Sequence, residues 1–221
     1  MGHSNGVGAR LLRKEDDRFL RGKGQFIGDI SFDGTREVTF VRSPVAHARL
    51  LGVQIPEAIQ SSVFTAEDLT GVKPIRAVSP LPGFKASEQP PLVTEKIRHV
   101  GELIAMCVAD TRAEAEDIAA QVMVDYDVLP AVVDMLDAQL SDAPRVHESW
   151  NNNIYLEVSY DGDIESAARQ APVSVARKVR TARQVMSPIE NRGFIAHWDT
   201  RLSQLVAVSY THLTLPTILL L

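Results

Sequence analysis

The stretch 101–130 constrains the fold more than any other part of the chain, because its pattern predicts a strand, a helix and a second strand in that order. Its first part lies in the apolar run VGELIAMCVA, which is typical of a buried strand. Its middle part, TRAEAEDIAAQV, begins with Thr111 and Glu114 at capping-box spacing and carries apolar residues on one helical face. Its last part, MVDYDV, alternates and is followed by Pro130. We therefore expect a helix over 111–122 between two strands.

Two long strands, and a short one at SSVFT (61–65), are predicted before this stretch. REVTFVRSP (36–44) and ARLLGVQI (48–55) both have strand patterns, and Pro44 blocks a helix and turns the chain between them. Paired strands followed by a strand, helix and strand indicate an α+β (mixed α/β) domain.

The segment RSPVAHARL at this turn has two interpretations. Ser43 and His47 could be a nucleophile and its base, which would make the protein a Ser/His hydrolase. That chemistry requires a strained nucleophile elbow and an acidic partner, and two side chains four residues apart on a strand–turn–strand need not meet. The structural interpretation, which we prefer, has Arg42 and His47 bonding to turn carbonyls or to a neighbouring domain.

The chain after residue 152 is predicted to be rich in strands. NIYLEVSYDG predicts a strand, DIESAARQA a helix capped by Asp163, VSVARKVRTARQV an alternating strand, and GFIAHWDT with LSQLVAV a hairpin that turns near Thr200. The basic residues of ARKVRTAR indicate a solvated face or a contact between subunits. We expect a domain boundary near 141–152.

Composition excludes several classes of function. The net charge of -5 argues against a nucleic-acid partner. The single Cys107 cannot form an internal disulfide or hold an iron–sulfur cluster alone, and its apolar surroundings predict an inert buried thiol in a reducing, cytoplasmic setting. His99, His147 and His197 lack ligand spacing, so we predict no metal site. No segment has the length and apolarity of a membrane span.

The final stretch, SYTHLTLPTILLL (209–221), carries no charge and does not continue the pattern before it. It resembles translated sequencing-adapter read-through, and we expect a non-native tail there and a natural protein that continued differently.

Five stretches in register resemble one family. They are RFLRGKGQFIGDI, FVRSPVAHARLLGVQI, VTEKIRHVGELIAMCVADT, AEAEDIAAQVMVDYDVLPAVVD and SPIENRGFIAHWD. In that order, over about residues 6–208, the chain resembles the molybdenum-cofactor-binding large subunit of the xanthine dehydrogenase, aldehyde oxidase and carbon monoxide dehydrogenase family.

The resemblance implies how the chain is organised. It implies an N-terminal arm (1–21), an α/β hammerhead domain (22–132), a linker (133–152) and the start of a strand-rich molybdopterin-binding domain (153–208). The parent enzyme would oxidise a small molecule such as carbon monoxide, an aldehyde or a heterocycle. Water would supply the oxygen, and electrons would pass to subunits that carry 2Fe–2S clusters and FAD. The resemblance leaves the substrate open.

The resemblance also bears on the site residues. The family's pterin loops and catalytic glutamate come later in the subunit, so we assign no catalytic residue here and expect no molybdenum-molybdopterin on this chain alone. Glu190, in SPIENRG, and more weakly Gln184 are the candidates for a cofactor contact. The family's Ser-Thr-Gln stretch is absent where Tyr210 begins, so we expect this chain alone to be inactive. The alternative function is a non-catalytic assembly module.

Overall fold

The computed structural model describes residues 13–182, 184–185, 187 and 192–209. Residues 35–174 form one compact unit, and the described residues up to 34 and from 175 onward form another. These units are not the predicted domains, whose limits stay a prediction. The α-helices are α1 Asp16–Leu20, α2 Arg112–Gln121 and α3 Ile164–Gln170. The strands are β1 Glu37–Arg42, β2 Ala48–Gln54, β3 Val63–Phe64, β4 Ile75–Arg76, β5 Glu88–Gln89, β6 Lys96–Ile97, β7 Leu103–Ala109, β8 Met123–Val128, β9 Phe194–Asp199 and β10 Gln204–Ser209.

Two three-stranded antiparallel sheets organise the unit 35–174. One has the order β1-β7-β3 and the other β6-β2-β8. Strand β1 pairs with β7 from Glu37 opposite Ala109, and β2 pairs with β8 from Ala48 opposite Val128. The predicted strand, helix and strand are therefore confirmed as β7, α2 and β8, but α2 carries the chain from one sheet to the other. The predicted mixed α/β class is confirmed.

Both faces of β7 are covered, which explains its uninterrupted apolar sequence. Ile104 lies in one hydrophobic cluster with Ala48, Val93 and Ile97. Its neighbour in sequence, Ala105, points to the other face and joins a second cluster. That second cluster also contains Cys107, Val63 and Val122, with Ile118 and Ala119 of α2 packed against it. Burying each large aliphatic side chain contributes about 1.5–3 kcal/mol, so β7 is the centre of stability in this unit.

The start of α2 matches the prediction from sequence. Thr111 Oγ1 accepts a hydrogen bond from the Glu114 amide at 3.3 Å, and the Glu114 carboxylate accepts one from the Thr111 amide at 3.1 Å. The two bonds satisfy amides that a helix start leaves without partners. Ala115 is fully buried and fixes the inner face of the helix.

Two predicted strands after residue 152 are wrong. Neither NIYLEVSYDG nor the described part of VSVARKVRTARQV lies in a strand. Val173, Val175 and Val179 are 76%, 74% and 84% exposed. Alternation predicts which side chains share a face, but a strand also needs a neighbour that supplies a ladder of backbone hydrogen bonds. Among the described residues, the only backbone–backbone hydrogen bond of NIYLEVSYDG is the one from the Lys85 amide to the Tyr155 carbonyl, at 2.7 Å, which is not a ladder.

The other elements predicted after residue 152 are confirmed. Helix α3 is capped by Asp163, whose carboxylate accepts a hydrogen bond from the Ser166 amide at 2.8 Å. Strands β9 and β10 pair as an antiparallel hairpin, with Phe194 opposite Ser209. The Asp199 carboxylate accepts from the amides of Arg201 and Leu202 and shapes the turn. Ser209, the first residue of the predicted tail, is the last of β10, and residues 210–221 lie outside the described residues.

Aromatic contacts stabilise residues 13–34, the N-terminal part of the unit that also contains the described residues from 175 onward. The rings of Phe19 and Phe26 stack with centroids 6.0 Å apart. Gly24 lies beneath them, and a Cβ there would come within 2.8 Å of the Phe19 ring, so any side chain would push that ring aside. The Phe32 ring packs against the His197 ring on β9, with ring centroids 4.7 Å apart. No helix in the described part of the chain has the length and apolarity to cross a membrane.

Candidate functional site

The joint between β1 and β2 is held by hydrogen bonds to its own turn and to the next loops. Arg42 Nη1 donates to the Gly101 carbonyl at 3.0 Å. Ser43 Oγ donates to the Val45 carbonyl at 2.7 Å and accepts from the Val45 amide at 3.1 Å. His47 Nδ1 donates to the Pro130 carbonyl. Arg42 and His47 therefore bond to loop carbonyls, as the structural interpretation of RSPVAHARL predicts.

This geometry does not form a nucleophile and base. Ser43 and His47 are buried, but among the described residues Ser43 Oγ bonds to Val45 and the His47 ring bonds to Pro130 rather than to each other. His47 Nδ1 faces a carbonyl where a catalytic histidine would face a carboxylate. His47 Nε2 is buried, and no described residue gives it a hydrogen-bond partner. The hydrolase alternative therefore has no support in this joint.

The predicted cofactor contacts stay predictions. Gln184 is exposed and lies in no strand or helix. Glu190 lies outside the described residues. Within the part of the chain that the structure describes, no three His, Cys, Asp or Glu side chains converge on a point where they could hold a metal ion.

A polar cluster around Lys96 was not predicted from the sequence. The Lys96 side chain is only 10% exposed, donates to the Arg145 carbonyl at 3.0 Å, and forms an ion pair with Glu148. Nearby, the buried Glu102 carboxylate accepts from the Arg98 amide at 2.5 Å. The cluster ties the segment 145–148 to β6. Its partners lie about fifty residues apart, so no local spacing in the sequence indicates it.

The cluster shifts two pKa values downward. Burial lowers the pKa of His147 below its ordinary 6.5, and the charges of Arg98 and Lys96 lower it further. For Glu148, burial opposes ionisation, but the hydrogen bond from Lys96 and the nearby positive charges outweigh it and lower the pKa below 4.5. At neutral pH the His147 imidazole is therefore neutral and the Glu148 carboxylate is charged, so Glu148 can keep its ion pair with Lys96. We call the contacts of Lys96 with Arg145 and Glu148, which tie the segment 145–148 to β6, the latch.

A cavity of about 290 Å³ lies beside the latch, between the loops that contain Ser87 and Val146. His147 and Trp150 line it with ring centroids 4.3 Å apart. Asn153 also lines it, but its amide donates to the Ala138 and Pro144 carbonyls and its oxygen accepts from the Val146 amide. The polar groups here mainly hold the loop, and the cavity carries no paired nucleophile and base.

Comparison with known proteins gives the chain its relatives. Residues 21–130 match the family described as "Aldehyde oxidase and xanthine dehydrogenase, a/b hammerhead domain". The carbon monoxide dehydrogenase large chain of Hydrogenophaga pseudoflava is 31% identical over 88% of this chain and 26% of its own length. The nicotine 6-hydroxylase large subunit of Paenarthrobacter nicotinovorans is 31% identical over 88% of this chain and 24% of its own length. The chain thus spans about a quarter of these relatives.

Solved structures agree with this result. Quinoline 2-oxidoreductase from Pseudomonas putida superposes with a TM-score of 0.81 at 30% identity, over 90% of this chain and 26% of that one. The Cu,Mo-CO dehydrogenase superposes with a TM-score of 0.72 at 27% identity, over 94% of this chain and 28% of that one. Both superpositions cover most of this chain.

Proposed function

Because this chain belongs to the aldehyde oxidase and xanthine dehydrogenase family, we propose that it is the hammerhead-bearing part of the large subunit of a molybdenum hydroxylase. The observation that carries the proposal is the superposition on quinoline 2-oxidoreductase, which matches fold and sequence together over 90% of the chain. The proposed domains are those the resemblance implies: arm, hammerhead domain, linker and the start of a molybdopterin-binding domain.

The parent enzyme, in this proposal, oxidises a small molecule with oxygen from water and passes electrons through 2Fe–2S clusters to FAD on partner subunits. We also propose a cytoplasmic location, which suits the buried, unpaired thiol of Cys107. The names of the relatives include carbon monoxide and nicotine enzymes, so we propose a substrate from the same range of small molecules.

The residues that the structure describes do not by themselves form a complete cofactor site. Gln184 is exposed, and the described residues contain no convergent set of metal-ligating side chains. Because the family that this chain resembles has its pterin loops later in the subunit, we propose that molybdenum and its pterin bind the part of the parent subunit beyond this chain, with Glu190 and Gln184 as the candidates for a contact from this side. The contribution of this chain is a rigid scaffold, built on β7 and fastened by the Lys96 latch.

The experiment is to express the complete large subunit with its neighbouring subunits and to measure molybdenum and pterin per polypeptide. We expect close to one of each on the complete subunit and almost none on the chain of 221 residues. Reduction of an artificial electron acceptor with carbon monoxide, aldehydes and N-heterocycles would then identify the substrate class. A complete subunit without molybdenum, or stoichiometric molybdenum on the short chain, would overturn the proposal.

A second candidate, a non-catalytic assembly module, is favoured by one observation. Between β8 and residue 141, four large apolar side chains are strongly exposed: Val133, Met135, Leu136 and Leu140. A contiguous patch of exposed apolar side chains is often a surface that binds another protein. Sedimentation of the chain mixed with the FAD and 2Fe–2S subunits tests it. If the chain cosediments with those subunits, and the double variant Val133→Ser/Met135→Ser does not, the assembly module is supported. If the unmodified chain sediments separately, the assembly module is excluded.

A further inference from the structure

The sequence VARKVRTA, residues 175–182, forms a segment that the proposed function does not use, and we call it the basic segment. All of its residues are exposed, and it neither coils into a helix nor turns or bends. Its three cations are Arg177, Lys178 and Arg180, and it contains no acidic residue. Among the described residues, no ion pair involves any of the three cations.

As a β-strand, the basic segment would place alternate side chains on two faces. Val175, Arg177, Val179 and Thr181 would share one face, and Ala176, Lys178, Arg180 and Ala182 the other. Valine and threonine are among the residues that strands favour. In water, an isolated strand is unstable because its amides and carbonyls lack the ladder of a neighbour. The segment therefore has the sequence of a strand and the exposure of one without a neighbour.

A second copy of this chain is a poor neighbour for the basic segment. In an antiparallel pair, every register centred between Arg177 and Val179 places two cations directly opposite each other, and in a parallel pair in register each cation faces itself. Like charges directly opposite on neighbouring strands destabilise the pair. The neighbour that fits is a strand with Asp or Glu at the facing positions.

We propose that the basic segment becomes a β-strand by adding to a sheet of the same large subunit, next to an acidic strand that lies outside this chain. The inference rests on the proposed function, because it needs the longer subunit. The relatives supply the room for such a strand, since this chain spans 26% of the carbon monoxide dehydrogenase large chain. Backbone pairing would give affinity, and opposite charges would fix the register.

Hydrogen exchange measured by mass spectrometry tests the proposal on two proteins, the 221-residue chain and the complete subunit. In the short chain, we expect the amides of residues 176–182 to exchange at the rate of an unstructured peptide. In the complete subunit, we expect those amides of residues 176–182 that bond to the neighbouring strand to exchange at least about a hundredfold more slowly. The amides of β7 serve as an internal reference, because they report whether the fold as a whole remains intact.

Charge reversal tests the acidic neighbour. In the complete subunit, Lys178→Glu with Arg180→Glu is expected to raise exchange in the basic segment about tenfold while β7 stays protected. The matched control reverses two exposed cations of the same compact unit, Lys23→Glu with Arg201→Glu, and should leave the segment protected.

The outcomes separate the inference from the proposed function. A complete subunit that contains molybdenum but leaves the basic segment unprotected overturns the inference and keeps the function. Protection that survives the charge reversal overturns the acidic neighbour. A complete subunit without molybdenum overturns the function, whatever the exchange shows. A coding sequence that ends with this chain overturns both.

Discussion

Residues 37–128 and residues 153–209 carry similar sequence signals but differ in what they bury. Every buried side chain of the described residues lies between Ser43 and Val122, and none lies from 153 onward. Both regions contain alternating stretches and a capped helix, but the two strands expected to pair around Pro44, β1 and β2, lie in different sheets, whereas β9 and β10 pair with each other. The difference shows that alternation gives a strand only where a second strand supplies the hydrogen bonds, as β9 and β10 do for each other without any buried side chain.

Strand β7 and the basic segment make this contrast specific. β7 lies between β1 and β3, so both of its edges are paired, and its side chains pack on two faces. The basic segment contains residues that strands favour, Val175, Val179 and Thr181, but it has no described neighbour. Four predictions break or sharpen the comparison.

Thiol reactivity should show the largest difference. Cys107 is fully buried on β7, and burial raises the pKa of its thiol, so little thiolate is present and reaction requires the fold to open. In a Cys107→Ala background, Val179→Cys places a thiol in the basic segment. We expect the new thiol to react with a disulfide reagent about a thousandfold faster than Cys107 in the unmodified chain. Similar rates under native conditions, with equal rates in urea, would show that the core around β7 is not closed.

The second largest difference should be in how much the free energy of unfolding falls when a side chain is truncated. Ile104 is 0% exposed, and Ile104→Ala should lower the free energy of unfolding by about 2–5 kcal/mol, because it removes packing and leaves a cavity. Val179→Ala, at a position 84% exposed, should change it by about 0.5 kcal/mol or less. Urea unfolding followed by circular dichroism measures both. A comparable loss in the two variants would mean that the basic segment is packed in this chain.

Much of the fold could be predicted because its signals are local. The capping box of α2, the apolar run of β7 and the turn at Pro44 act over a few residues, and the structure has each of them. What failed depends on distant partners. Alternation over 153–162 and 173–185 predicted strands, but pairing is a property of two segments, and one sequence pattern describes only one of them.

The candidate site was limited by the same physics. The interpretation of Ser43 as a structural residue could be reached, since its hydroxyl bonds within its own turn, but the partner of His47, the Pro130 carbonyl, lies 83 residues away and could not be named from the sequence. The latch between Lys96 and Glu148 could not, because folding brings the two residues together across about fifty positions. Glu190 and Gln184 came from the family resemblance, and their contacts stay a prediction.

Removing the N-caps of α2 and α3 should give a smaller difference in the free energy of unfolding. Thr111→Ala removes the cap of a helix that packs on the core, so we expect a loss of about 1 kcal/mol in the free energy of unfolding. Asp163→Ala removes the cap of α3, which buries no residue, so helicity should fall while global unfolding stays within about 0.5 kcal/mol. Urea titration gives the first quantity, and the far-ultraviolet signal gives the second. An equal loss for both caps would show that α3 is coupled to the core.

The smallest effect is a dependence of stability on pH at the latch. Because burial and the charges of Arg98 and Lys96 lower the pKa of His147 in the folded chain, the unfolded chain binds its proton first, and stability should fall as the pH drops below 6.5. Glu148 acts in a lower window: its stabilising charge is complete above pH 4.5 and is lost as the pH falls through its lower folded pKa. Urea midpoints between pH 7.5 and 4 should therefore decline less steeply below pH 6.5 in His147→Gln, whereas Glu148→Gln should flatten only the part below about 4.5. Glu157→Gln, which removes an exposed carboxylate outside the latch, is the control and should reproduce the parent curve. If His147→Gln also reproduces it, the segment 145–148 is not held to β6 in solution as tightly as the ion pair with Lys96 implies.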